Sequence, residues 1–297
     1  MPIDPKPLRS SLFIPGNRQR WLDRVPSIEA DGFIFDLEDS VPEAERGEAR
    51  KLVRTAIGQH GAGHVLFVRI NAPDTPHLLD DLEAVVCPGL YGVLVPKTRG
   101  PEDVVVVDAI LGWLEHRAGM PAGSVIINPL LETAEGIRQA YAVAKASPRV
   151  AHMGASAAPG GDAAQAIGFT WTAEGAESLY LRSKILLDAR AAGVAYPMTG
   201  LWTDIHDLDG LRGFAQRARQ LGYTGMKAIH PLHLPVINEV FSLSPEEVAY
   251  WEGLVTAMEE AERQGTTAVT YRGAMVDTAM VKTARDRLAI ARKLAAQ

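Results

Sequence analysis

Several apolar runs in this chain end in a charged residue, and those residues are where chemistry is available. Ile126-Ile127-Asn128-Pro129-Leu130-Leu131 is apolar until Glu132, and the chain then turns at once into a helical stretch, Thr133-Ala134-Glu135-Gly136-Ile137. Gly32–Leu37 runs into Asp36-Leu37-Glu38-Asp39, and His64–Asn71 carries Arg69 near its end. Asp162 follows Pro159-Gly160-Gly161 in the loop after a sixth run, Arg149–Gly154. In parallel α/β architectures the reacting groups collect at the C-terminal ends of strands. Two carboxylates there without a His or Cys partner suit a hard cation such as Mg²⁺, which takes oxygen ligands and leaves places open for substrate. The guanidinium of Arg69 matches a substrate carboxylate bidentately. Gly160 and Gly161 let the backbone approach a ligand. Each residue also has a structural reading. Glu132 fits the first turn of a helix capped by Thr133, Asp162 fits a turn or a cap before Ala163–Ile167, and Arg69 fits an ion pair with Asp36 or Glu38. Function takes precedence only if these positions meet at one rim.

Other chemistries have less support. Lys97 ends a strand and could form a Schiff base, but nothing in the sequence supplies a group to lower its pKa. The eight histidines are scattered along the chain. Cys87, in Val85-Val86-Cys87-Pro88, is the single cysteine and reads as a packed residue, which excludes an intramolecular disulfide and a cysteine-rich metal site. A formal charge of −6 without a basic tract argues against a nucleic-acid partner. The start, Met1–Pro7, has no apolar signal-peptide core, and no apolar run approaches the ~18 residues of a membrane span. A cytoplasmic location is therefore expected.

The elements that must position these residues follow in order. With 47% hydrophobic residues in 297, a sizeable core is available. Strands are expected at Ser11–Pro15, Gly32–Leu37, His64–Asn71, Gly92–Lys97, from Ile126, at Arg149–Gly154, more weakly at Ala195–Thr199, and at Met226–His230. Helices are expected at Pro42–Gly58, Pro76–Val86, Glu102–Arg117, Ala134–Ala146, Glu177–Gly193, Leu208–Gly222 and Leu234–Phe241, with Asn17 capping a further helix that carries Arg18, Arg20 and Trp21. Strands that alternate with helices and are apolar on both faces imply parallel βαβ units. Eight such units fit a (β/α)8 TIM barrel, residues 1–243, better than an open sheet. No Gly-x-Gly-x-x-Gly or Gly-x-x-x-x-Gly-Lys-Ser/Thr element follows a strand, which weakens the nucleotide-fold alternative. Residues 244–297 read as a C-terminal helical extension: helix Pro245–Gln264, an extended piece Thr266–Met275, and helix Thr278–Ala296. It would serve as a lid or a subunit contact.

Five motifs in order carry a resemblance over nearly the whole chain: Arg9-Ser10-Ser11-Leu12-Phe13-Ile14-Pro15-Gly16-Asn17-Arg18, Asp36-Leu37-Glu38-Asp39-Ser40-Val41-Pro42, Val68-Arg69-Ile70-Asn71, Leu131-Glu132-Thr133-Ala134-Glu135-Gly136 and Ala228-Ile229-His230-Pro231. Together they resemble the citrate lyase beta-subunit-like branch of the HpcH/HpaI aldolase family. The resemblance implies a TIM barrel that binds Mg²⁺ and a coenzyme A thioester, cleaves or forms a carbon–carbon bond between an acyl-CoA and a small 2-oxo acid, and assembles as a homotrimer or hexamer. By position, Glu132 and Asp162 resemble the metal ligands, and Arg69 the arginine that meets the oxo-acid or enolate oxygens. Glu38 and Asp39 resemble the acidic pair beneath the metal, and Arg9 a second basic residue at the base of the pocket. Asp277, in Gly273-Ala274-Met275-Val276-Asp277, resembles an aspartate donated by a lid to the neighbouring subunit's site as the acid/base group. His230-Pro231 would help form the CoA channel.

Two departures fall near the acyl and CoA ends of that pocket. The family's Gly-x-x-Asp-Leu-Ala-x-Asp-Leu-Gly is represented by Asp162-Ala163-Ala164-Gln165-Ala166-Ile167-Gly168 behind extra residues, Ser156-Ala157-Ala158-Pro159. The family's Gly-Lys-Trp is here Gly225-Met226-Lys227. They bear on substrate identity more than on the metal. The expected activity is a Mg-dependent lyase acting on a malyl-, citramalyl- or citryl-CoA-like 3-hydroxyacyl-CoA. The alternatives are an acyl-CoA thioesterase, a CoA-independent hydroxy-acid aldolase, and an inactive structural subunit of a lyase complex.

Overall fold

The structure, a computed structural model, describes residues 5–155, 158 and 160–295. The chain divides into two compact units, Met1–Phe241 and Ser242–Gln297.

In the first unit, strands and helices alternate: β1 (Ser10–Pro15), α1 (Gln19–Leu22), β2 (Gly32–Asp36), α2 (Arg46–His60), β3 (Val65–Arg69), α3 (Leu78–Val85), β4 (Gly92–Val95), α4 (Pro101–Arg117) and β5 (Ile126–Leu131). Then come α5 (Ala134–Arg138), α6 (Ala140–Lys145), β6 (Gly154–Ala155), α7 (Asp162–Ile167), α8 (Ala176–Ala192), β7 (Met198–Thr199), α9 (Leu208–Leu221), β8 (Gly225–Ala228) and α10 (Leu234–Phe241). The strands form one eight-stranded sheet in the order β6-β5-β4-β3-β2-β1-β8-β7, parallel throughout.

Burial explains why the strands are apolar on both faces. All five residues of β2 are buried. Phe33 and Phe35 pack into the large cluster shared with the helices, while Ile34 between them joins a second cluster with Phe67, Leu94, Ile126 and Met198. Side chains from β2, β3, β4, β5 and β7 thus meet in one place, so the sheet is curled. At the two ends of the strand order the Met198 N–H donates to the Met153 carbonyl at 3.1 Å. A side chain at Gly154 would collide with the Met198 carbonyl, so the approach requires glycine. Outside, the helices cover the sheet with one face: α9 buries Leu211, Phe214, Ala215 and Ala218 at helical spacing.

The boundaries depart from expectation in a few places. Asn17 caps no helix. The residue before α1 is Arg18, without a side-chain cap, and the Asn17 amide instead donates to Glu45. The helix expected over 134–146 is broken at Gln139. The sixth and seventh strands shrink to two residues each.

In the second unit, α11 (Pro245–Arg263) starts with a capping box between Ser244 and Glu247. The extended piece is an antiparallel hairpin, β9 (Ala268–Tyr271) and β10 (Ala274–Asp277), followed by α12 (Thr278–Ala295). Leu254, Met258, Val276, Val281 and Ala284 form this unit's own core.

Candidate active site

Consecutive strands bring seven charged side chains to one end of the sheet. Asp36 ends β2 and Arg69 ends β3, and the two residues are direct register partners. Lys97 follows β4 and Glu132 follows β5, while Asp162 opens α7 after β6. Glu38 and Asp39 lie just past β2.

Arg69 is held by Asp36 through two parallel hydrogen bonds, Nε to Oδ1 and Nη2 to Oδ2, both 2.6 Å. Its Nη1 lies 3.1 Å from Glu38 Oε2 and 3.4 Å from Asp39 Oδ2, and the Phe13 ring lies 5.1 Å from the guanidinium carbon. Burial works against both charges. For Asp36 the Arg69 hydrogen bonds win and its carboxyl stays below the usual range, helped by the backbone N–H of Glu38 and by Ser40. The structural reading of Arg69 as a partner of Asp36 therefore holds, yet Nη1 still points at the acidic pair.

Lys97 is the group whose importance the sequence concealed. Its Nζ bonds Glu38 Oε1 at 2.6 Å and Asp39 Oδ1 at 3.1 Å, and stands 3.7 Å from Asp162 Oδ2. Burial alone would lower its pKa, but these carboxylates raise it, so the amine is locked in its charged form. A Schiff-base nucleophile needs the free amine, and these ion pairs argue against that role. Lys97 also has a φ of +49°, rare for a non-glycine residue. In this conformation its backbone N–H donates to Glu132 Oε1 at 2.9 Å. The neighbouring turn is fixed from below: Thr133 caps α5 by accepting from Gly136 N, and its hydroxyl donates to the Thr98 carbonyl. A side chain at Gly136 would strike that carbonyl.

Glu132 is 3% exposed. Burial, with the nearby Asp162 and Glu38 charges adding to it, pushes its carboxyl up to about 7 against the pull of the Lys97 N–H. A buried carboxylate with one hydrogen bond from a backbone N–H, facing a second carboxylate, lacks positive charge. Asp162 is the first residue of α7, whose cap is Gly161, so it is not a side-chain cap. A cleft of about 440 Å³ opens over the pair, lined by Asp74, Lys97, Arg99, Glu132, Thr133, Asp162, Gln165 and Ala166. Among the described residues no group of three His, Cys, Asp or Glu is close enough to cage a metal on its own. The donors that are present are hard oxygens, one just past β5 and one at the start of α7, and a lysine amine already sits among the carboxylates as a cation. That set fits an oxygen-liganded divalent ion with open positions.

Two expected site residues of the first unit lie elsewhere. Arg9 precedes β1 and so stands at the opposite end of the sheet, where its guanidinium and backbone N–H are taken by Asp31. It does not line the base of this pocket, because the residue before a strand faces the end where strands begin. His230 follows β8, accepts from Leu232 N through Nδ1, and lines a separate cavity of about 190 Å³ with Leu12, Phe13, Ile14, Trp21 and Arg24. Asp277 belongs to the second unit. It is exposed at the end of β10, and its Oδ1 accepts the N–H groups of Ala279 and Met280. Of the extra residues before Asp162, Ser156, Ala157 and Pro159 lie outside the described residues.

Residues 9–231 match the HpcH/HpaI aldolase/citrate lyase family. The chain belongs to this family. Over 291 residues it is 33% identical to a (3S)-malyl-CoA thioesterase of Cereibacter sphaeroides, covering 98% of this chain and 96% of that protein. It is 32% identical over 275 residues to the citrate lyase subunit beta of Leuconostoc mesenteroides subsp. cremoris, covering 92% and 89%. Among solved structures of HpcH/HpaI-like proteins, CitE from Mycobacterium tuberculosis, in complex with magnesium, acetoacetate and coenzyme A, superposes with a TM-score of 0.74 at 28% identity. That match covers 97% of this chain and 99% of the CitE chain.

Proposed function

We propose that the protein is a Mg²⁺-dependent carbon–carbon lyase that splits a 3-hydroxyacyl-CoA of the malyl-, citramalyl- or citryl-CoA kind into an acyl-CoA and a small 2-oxo acid. The observation that carries this reading is the meeting of Glu132, Asp162 and Arg69 at the strand ends, over the lysine-braced pair Glu38 and Asp39. The CitE complex with magnesium, acetoacetate and coenzyme A supports the ligand set.

Glu132 and Asp162 would hold Mg²⁺, which when bound supplies Lewis-acid polarisation of substrate oxygens. Arg69 would place its guanidinium charge where negative charge grows on the oxo-acid oxygen, and its fixed pairing with Asp36 spares reorganisation during the reaction. Cleavage breaks the bond between the hydroxyl-bearing carbon and the carbon next to the thioester. The hydroxyl proton passes to water, the carbonyl of the 2-oxo acid forms, and the electron pair stays on the acyl-CoA as an enolate. Protonation of that carbon falls to Asp277, supplied by the C-terminal unit of a neighbouring copy. The unit would thereby act as lid and subunit contact in a homotrimer or hexamer. His230-Pro231, beside its own cavity, would border the CoA channel. Glu38 and Asp39 hold Lys97 and Arg69 in place.

The Met198–Met153 hydrogen bond supports a closed (β/α)8 barrel. No described helix is long and apolar enough to cross a membrane, which accords with a cytoplasmic enzyme.

The 33% identity to a malyl-CoA thioesterase favours a second reading, hydrolysis of the same thioester. Product analysis with malyl-, citramalyl- and citryl-CoA and Mg²⁺ separates the two. An acyl-CoA plus a 2-oxo acid establishes the lyase, and free CoA plus the hydroxy acid establishes the thioesterase. No turnover of any ester would remove both.

A further inference from the structure

Lys227 is a buried amine without an ion pair among the described residues. On β8, Met226 and Ala228 belong to the cluster shared with the helices, so Lys227 between them faces the inner side of the sheet. Its register partner is Ser11, whose hydroxyl contacts the Met198 sulfur of the inner cluster. Ser11 lies four residues before the end of β1, which puts Lys227 below the strand ends and under the carboxylate cluster. The side chain is 1% exposed and its Nζ has no hydrogen-bond partner among the described residues.

An amine so placed is expensive. Burying an unpaired ammonium costs several kcal/mol, and a methionine of the same length would fill the space without that cost. Its surroundings do not compensate locally. His152 is fully buried and packs edge-on against Phe67 and Tyr91. Burial, with the Lys227 charge assisting, lowers the His152 pKa to about 4, so it is neutral. Burial likewise lowers Lys227 to about 8, and the ionised group that opposes this is Glu132. The amine and the Glu132 carboxylate are thus within electrostatic reach of each other.

The cluster above holds five carboxylates, Asp36, Glu38, Asp39, Glu132 and Asp162, against two cations, Arg69 and Lys97. Such a surplus attracts a divalent cation and repels an anionic substrate. We propose that Lys227 is a positioning residue whose buried charge offsets this surplus from below, favouring an anionic oxo acid at the expense of some affinity for the divalent ion. It touches neither ligand and acts through the field at Glu132. The inference rests on the proposed lyase site and adds to it a reason for a costly buried charge.

The test is Lys227→Met in the full-length protein at pH 7, with Lys227→Arg beside it. Thermal melts give stability, and calorimetry gives affinity for Mg²⁺ alone and for pyruvate, glyoxylate and oxaloacetate in saturating Mg²⁺. Relative to wild type, K227M is expected to melt higher, to bind Mg²⁺ at least as tightly, and to bind the best oxo acid on the order of tenfold more weakly. K227R, which keeps the charge, is expected to retain oxo-acid affinity. A lysine kept for structure gives a different pattern: K227M melts lower or fails to fold, and both ligands weaken together. That result, or oxo-acid affinity unchanged in K227M, overturns the proposal. Wild-type protein that binds no oxo acid at all overturns the lyase reading instead.

Discussion

The sheet carries an ion network at each end, and the two are built to opposite standards. Where the strands begin, Arg149 is bound by Glu115 through two hydrogen bonds of 2.7 and 2.8 Å and by Asp108 through Nε, and it also donates to the Val125 carbonyl. Glu115 is fully buried and accepts in addition from Gly123 N and Val125 N. These partners outweigh the burial penalty and hold its carboxyl below the usual range. Every charge there is satisfied. Where the strands end, five carboxylates face two cations, Glu132 accepts from one backbone N–H, and Lys97 takes a left-handed backbone to supply it. Burial raises Glu132 at this end, whereas hydrogen bonds depress Glu115 at the other. Charges paired to completion hold elements together. A cluster left short of positive charge is prepared for something that is not part of the chain.

If that contrast is right, substitutions at the two ends fail in different ways. The largest effect belongs to the strand ends. Glu132→Gln or Asp162→Asn should reduce Mg²⁺-dependent turnover by roughly a thousandfold or more while the melting temperature holds, because donors to the reacting oxygens are worth about 10²–10³ each even singly. Arg69→Lys should follow, with turnover down roughly a hundredfold, since an ammonium cannot keep both bonds to Asp36 and still present a donor. At the other end, Glu115→Gln should cost about 3–5 kcal/mol of stability by leaving Arg149 buried and underpaired. Thermal melts would register this as a drop on the order of 10 °C with turnover per folded molecule intact. Loss of activity without loss of stability at Glu115 would erase the distinction.

A smaller effect concerns pH. In the metal-free protein Glu132 is raised to about 7 from its ordinary 4.5. Its contribution to stability is therefore fully present below about pH 4.5 and is lost as pH rises through 7. Melts in EDTA from pH 5 to pH 8 should show wild type losing stability relative to E132Q; parallel curves would contradict the raised value. The smallest effect is expected at Arg9, paired with the part-buried Asp31. Arg9→Met should leave kcat/KM within about twofold and stability within about 1 kcal/mol. A hundredfold loss of activity would return Arg9 to the site.

Much of this arrangement was legible in the sequence. Apolar runs stopping at Asp36, Arg69, Lys97 and Glu132 located four successive strand ends, because a parallel strand buried on both faces has few positions for a charge until it emerges. Which charges pair was not legible. The union of Asp36 with Arg69 depends on register, and Lys97 reads as a possible nucleophile until Glu38, Asp39 and Asp162 are seen around its amine. Arg9 was misplaced because a motif gives a residue's neighbours in the chain but not which end of the sheet it faces. Lys227 was visible only as part of a departure from the family's Gly-Lys-Trp. Its inward direction follows from Met226 and Ala228 facing out, a two-residue alternation that four residues cannot establish alone.

The central claim is that Glu132 and Asp162 form a site for a divalent ion. Calorimetric titration of Mg²⁺ into the apo protein tests it most directly, with E132Q and D162N titrated under the same conditions. The account predicts one site per chain in wild type and no measurable binding in either variant, with all three proteins folded. Equal binding by the three proteins, or none by wild type, would contradict it.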